Sequence, residues 1–179
     1  MAKRKGTYTV VFDEPISVRA SAAVGSKKES EGPIGHAFDV INEDDYFGEK
    51  TWEKAESRMQ QTAIQTALDK AKYQPSDIDC VFAGDLMNQC VGSTYGLRSF
   101  GIPFVGLFGA CSTMAESLMT ASVFLDSGAA GRAVACTSSH FCTAERQFRL
   151  PLEYGGQRTP TAQWTATAAG AAVLEKGDT

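Results

Sequence analysis

Pro103-Phe-Val-Gly-Leu-Phe-Gly-Ala-Cys-Ser-Thr113, running on into Met114-Ala-Glu-Ser-Leu-Met-Thr-Ala-Ser-Val-Phe-Leu125, is the stretch from which the fold can be read. Its first six residues are an apolar strand and Gly109 to Thr113 are small residues suited to a sharp turn. The segment from Ser112 to Leu125 is helical and stops at Ser127-Gly128. Strand, tight turn and helix in that order are the unit of an α/β layer. The same alternation extends outward. Downstream, Ala133-Val-Ala-Cys136 is a short strand, the segment from Ser138 to Ala162 is an arginine- and aromatic-rich connection, and a last strand lies near Ala169 to Leu174. Upstream, Cys80-Val-Phe-Ala83 is a buried strand and a weaker helix lies near Thr94 to Phe100.

The clearest helix opens at Thr51, a good N-cap, and places Trp52, Ala55, Met59, Ala63, Ala67 and Ala71 on one face. Glu53 suits its first turn, Lys70 and Lys72 its last, and Pro75 stops it. Before it, Thr7 to Phe12 and Ile16 to Val24 read as strands. The segment from Gly25 to Lys50 has no period, and an irregular stretch of that length is usually functional or disordered. The expectation is an α/β fold with a mixed, mainly parallel five-stranded sheet and helices on both faces, forming one domain over residues 1–179.

Composition narrows the function classes. The 179 residues are 43% hydrophobic and 21% charged, as in globular chains. A net charge of −4 is a poor match to general nucleic-acid binding. No transmembrane span is expected, because the most apolar stretch, Ala121 to Cys136, is broken by Asp126 and Arg132. Five cysteines without paired spacing favour free thiols in a reducing cytoplasm. The helix from Ser112 to Leu125 is apolar almost all round, so it expects cover from something outside this chain.

Cys111 is the leading candidate for chemistry. A cysteine at a helix N-terminus faces unpaired N–H groups and the positive end of the helix dipole, both of which favour thiolate. At the free-thiol pKa of roughly 8.5 only about 3% is ionised at pH 7. The same N–H groups could hold a ligand carboxylate or an oxyanion; the plainer reading is a small residue at a tight strand–helix junction. Asp85 stands at a strand end, where α/β sheets place ligands, or is a turn residue closing that strand. His140, Arg146, Arg149 and Arg158 share one connection with Phe141, Phe148 and Tyr154, arginine forks beside aromatic faces that can pair and stack with a ligand or, in the plainer reading, form an ordinary solvated or interface loop. Cys136, His140 and Cys142 lack further ligands to complete a zinc site, and neither metal nor cofactor is expected.

Phe108-Gly-Ala-Cys-Ser-Thr113, followed by Ala115-Glu-Ser117 and preceded by Ala83-Gly-Asp-Leu86, resembles the N-terminal half of the thiolase superfamily. Thr137-Ser-Ser-His140, Thr143-Ala-Glu-Arg-Gln-Phe148, Glu153-Tyr-Gly-Gly156 and Gly170-Ala-Ala-Val173 sharpen the match to the stage V sporulation protein AD family of spore-forming bacteria. The resemblance implies a thiolase-like half-fold whose second half is absent. It implies that the protein binds dipicolinic acid for uptake into the developing spore, with Asp85, Cys111, His140, Arg146 and Arg149 as ligand residues and Cys111 at the nucleophile position. It further implies other stage V sporulation proteins of a membrane complex as partners, a role in germination and transport, and a cytoplasmic location at the periphery of the spore inner membrane. Self-association, or pairing with the missing C-terminal half, would cover the apolar helix. The alternative is a ketoacyl-synthase-like acyltransferase using Cys111. Against it, thiolase-like enzymes draw acid–base partners from the second half, and neither His36 nor His140 matches those positions.

Overall fold

A computed structural model describes residues 2–148, 160–161 and 163–177. Lys3–Lys5 (β1) and Thr9–Val11 (β2) form an antiparallel pair of their own. The main sheet is built from Ile16–Ser26 (β3), Val40–Asn42 (β4), Cys80–Gly84 (β5), Phe104–Gly106 (β6), Arg132–Ser139 (β7) and Ala168–Lys176 (β8), in the order β4-β3-β8-β7-β5-β6. It therefore has six strands where five were expected. The sixth is β4, three residues in the segment that showed no period, which pairs parallel with the end of β3. Three residues are too few to display an alternation, so register with β3 defines this strand, not its own pattern. The expected strand over Thr7 to Phe12 is β2, outside the main sheet.

The β3–β4, β5–β6 and β5–β7 pairs are parallel, while β8 runs antiparallel to both β3 and β7. Five strands thus point one way, and β8 is reversed between them. Side chains alternate across the sheet. Val81, Ala83, Val134, Cys136, Ala171 and Val173 pack on one side; Cys80, Phe82, Ala133, Ala135, Ala172 and Leu174 pack on the other.

Trp52–Ala71 (α2) covers the first side. Thr51 caps it by accepting from the Lys54 N–H, and Ala55, Met59, Ala63, Ile64, Ala67 and Leu68 are fully buried. The run of alanines lets the helix lie close to the strands. It ends earlier than Pro75, with Lys72 in the left-handed conformation. Thr113–Ser127 (α4) covers the second side through Ala121 and Leu125. The short Lys27–Ser30 (α1) follows β3, Val91–Leu97 (α3) follows β5, and Phe141–Phe148 (α5) occupies the start of the aromatic connection. Helices lie on both faces, as expected. Among the described residues no helix is long and apolar enough to cross a membrane.

Candidate functional site

The strand–turn–helix that decides the fold also builds the site. Beyond β6, the Leu107 N–H donates to the Ala83 carbonyl, which holds the turn against the end of β5. Gly84 is required there: a Cβ on it would lie 1.9 Å from the Leu107 carbonyl oxygen. Ala110 then takes a left-handed φ of 49°, a conformation that costs a non-glycine residue about 1–2 kcal/mol. Thr113 locks the bend, its Oγ1 accepting from the Gly109 N–H and donating to the Ala110 carbonyl at 2.9 Å. Ser112 donates from Oγ to the Gly109 carbonyl and also lies 2.6 Å from Glu116 Oε1. The result is an exposed Cys111 at the head of α4. Glu116 packs directly over Gly109, so the positive end of α4 already has a carboxylate of its own beside it.

Cys111 opens onto a cleft of about 540 Å³ at the end of the sheet where β5 and β7 finish and β8 begins. Leu86, Met114, Ser138, Ser139 and Gly170 also line it, and Gln163, Trp164 and Thr165 close one side. Asp85, next to Leu86, lies beneath the cleft, not on its wall. It is buried, and its carboxylate accepts from the Met87 N–H at 3.0 Å, the Ser93 N–H at 2.8 Å and the Ser93 hydroxyl at 2.6 Å.

Below Asp85 runs a polar network that the sequence reading did not single out. The Gln60 amide lies within hydrogen-bond reach of the Gly84 carbonyl, Ser93 Oγ and Ser138 Oγ. Ser138 and Thr143 each donate to one oxygen of Glu56 at 2.9 Å. Glu56 is fully buried; desolvation first, and the nearby Asp85 charge second, push its carboxyl up to about 7. One signal could have found it: Glu56 and Gln60 are one helical turn apart beside the apolar stripe of Ala55, Met59 and Ala63.

The remaining candidates are not brought to Cys111. His140 is buried at the end of β7, stacked near Trp52 with ring centroids 6.4 Å apart. Its Nδ1 accepts from the Cys142 N–H at 3.2 Å, so Nε2 carries the proton and donates to the Asp45 carbonyl at 3.0 Å. Burial lowers its pKa. It lines a separate, more enclosed cavity of about 200 Å³ that shares Trp164 and Thr165 with the cleft. Arg146 pairs with Glu53 and sits 5.9 Å from the Trp52 ring, over α2. Arg149, Tyr154 and Arg158 lie outside the described residues. His36 is exposed in the turn Gly35–Ala37. Burial raises the thiols of Cys80, Cys90, Cys136 and Cys142. Among the described residues no group of three His, Cys, Asp or Glu could hold a metal ion.

This sheet order, with a cysteine turn at the head of a covering helix, is that of the thiolase-like fold. 3-Oxoacyl-(acyl-carrier-protein) synthase III from Aquifex aeolicus superposes with a TM-score of 0.62 at 16% identity, over 92% of this chain and 55% of that one. A priming β-ketosynthase from a polyketide pathway gives 0.59 at 18% identity, over 97% and 54%. These likenesses are of fold. The stage V sporulation protein AD family profile matches residues 6–179, and the Bacillus subtilis protein of that name is 45% identical over 174 residues. The chain belongs to the stage V sporulation protein AD family. It covers 97% of its own length in that match and about half, 52%, of the relative's.

Proposed function

We propose that this sporulation protein binds dipicolinic acid in the Cys111 cleft, as part of its movement into the developing spore. The observation that carries the reading is an exposed thiol held by a strained turn at the mouth of an open cleft at the strand ends, where α/β folds take ligands. Its volume of about 540 Å³ suits a small ligand. The Cys111 thiol and the Thr137 hydroxyl on its lining offer hydrogen-bond donors for a carboxylate. Asp85 supports the floor by fixing the start of α3 instead of touching the ligand. In the same reading the apolar outer face of α4 is covered by a second half-domain, which also completes the cleft. Other stage V sporulation proteins are its partners at the periphery of the spore inner membrane.

Acyl transfer from Cys111 needs a base beside the thiol. His140 does not supply it, because both its ring nitrogens are committed to backbone groups. Dipicolinate binding without covalent chemistry needs no such base and is the reading advanced for this half of the fold. Filling the cleft tests it. A Cβ on Gly170 meets nothing within 4 Å, so Gly170→Leu occupies ligand space without a clash at its first atom. Titration calorimetry should give saturable dipicolinate binding to the unmodified protein and none to Gly170→Leu. Equal binding by both would move the ligand out of this cleft.

A further inference from the structure

We infer that Trp164 is the residue by which the cleft selects a planar aromatic anion over an aliphatic one of similar charge. The inference rests on dipicolinate binding in the Cys111 cleft and assigns the wall that reads the ring.

Trp164 is the one aromatic side chain among the described residues that line the cleft. It is 58% exposed although its indole is the largest apolar group there. Its orientation is set from outside the cleft: the Phe141 ring lies 4.8 Å away, tilted by 36°, and holds the indole on one side. The rest of the ring system borders the cleft and, on its other flank, the cavity of His140. The floor opposite is made of small residues, Ala168, Ala169 and Gly170, with open space above Gly170. Met114 adds a polarisable thioether from the α4 side. An indole on the lining together with the small residues Ala168, Ala169 and Gly170 leaves room for a flat ring to lie against the indole face. An electron-poor pyridine ring bearing two carboxylates is a good partner for an electron-rich indole face. The Cys111 thiol and the Thr137 hydroxyl do not distinguish an aromatic dicarboxylate from an aliphatic one, since both present the same charged groups. Discrimination therefore falls to Trp164.

The experiment is a paired titration on the full chain with pyridine-2,6-dicarboxylate and with glutarate, an aliphatic dicarboxylate. Trp164→Ala should weaken pyridine-2,6-dicarboxylate about tenfold, the size of one aromatic stacking contact, and leave glutarate within about twofold. Trp164→Phe should restore most of the loss. In a Trp52→Phe background, where Trp164 is the remaining tryptophan, its emission should respond to pyridine-2,6-dicarboxylate and not to glutarate. Equal weakening of both ligands, or no weakening of either, overturns the role of Trp164 while leaving the cleft as the site. Failure of the unmodified protein to bind pyridine-2,6-dicarboxylate overturns the functional reading and this inference together.

Discussion

Glu56 illustrates how a single residue couples the fold to pH. In the unfolded chain it ionises near 4.5, whereas burial and the Asp85 charge hold it protonated to about 7 in the folded protein. Below 4.5 both states are protonated and the shift has no effect. Between 4.5 and 7 the unfolded chain releases the proton first, so stability falls as pH rises through this window, by about 3 kcal/mol, and is level above it. Glu56→Gln removes the ionisation and keeps an acceptor for Ser138. Thermal unfolding of that variant should lose this part of the pH dependence between pH 5 and 7.5 and gain stability at the upper end; a slope equal to the parent's would contradict it. Individual residues were unevenly legible. Cys111 was legible because its neighbours are diagnostic of a strand–helix turn. Glu56 was overlooked because a lone acid within an alanine-rich stripe reads as ordinary helix surface. His140 and Arg146 share a segment with aromatic residues, but His140, just after β7, meets Trp52 and the Asp45 carbonyl while α5 turns Arg146 onto Glu53 of α2, tertiary choices that local spacing does not carry.

Among the described elements, α4 leaves an apolar face open. Thr113, Ser117, Ala121 and Leu125 form its buried stripe, whereas Met119 is 63%, Val123 45% and Phe124 37% exposed. Phe124 still meets Phe82 edge-on at 4.9 Å, so it belongs partly to the core. Met119 and Val123 are one turn apart on the open face. Replacing them together, Met119→Glu and Val123→Lys, adds an i,i+4 pair in the favourable order and removes apolar surface. Hydrophobic-dye binding and self-association should drop while the unfolding midpoint stays within the range of surface substitutions, about 0.5 kcal/mol. Unchanged dye binding would show that the sticky surface lies elsewhere. That open apolar face was legible from composition alone, since the helix is apolar almost all round. Strand ends were less so: β7 runs from Arg132 to Ser139, well past the apolar Ala133 to Cys136, because hydrogen bonding to β5 and β8 carries it through polar residues.

For the whole molecule, five of the six sheet strands and both covering helices follow from alternating apolar runs and helical stripes. The reversed β8 does not, because an apolar run reads the same in either direction. Its central place brings Ala168, Ala169 and Gly170 to the finishing end of β7 and so makes the cleft floor. Binding at that spot is the central claim, and protection of Cys111 tests it most directly. The rate of Cys111 alkylation by iodoacetamide, followed by mass spectrometry with and without saturating dipicolinate, should fall at least several-fold when the ligand is present. A rate at Cys111 that saturating dipicolinate leaves unchanged would contradict the account.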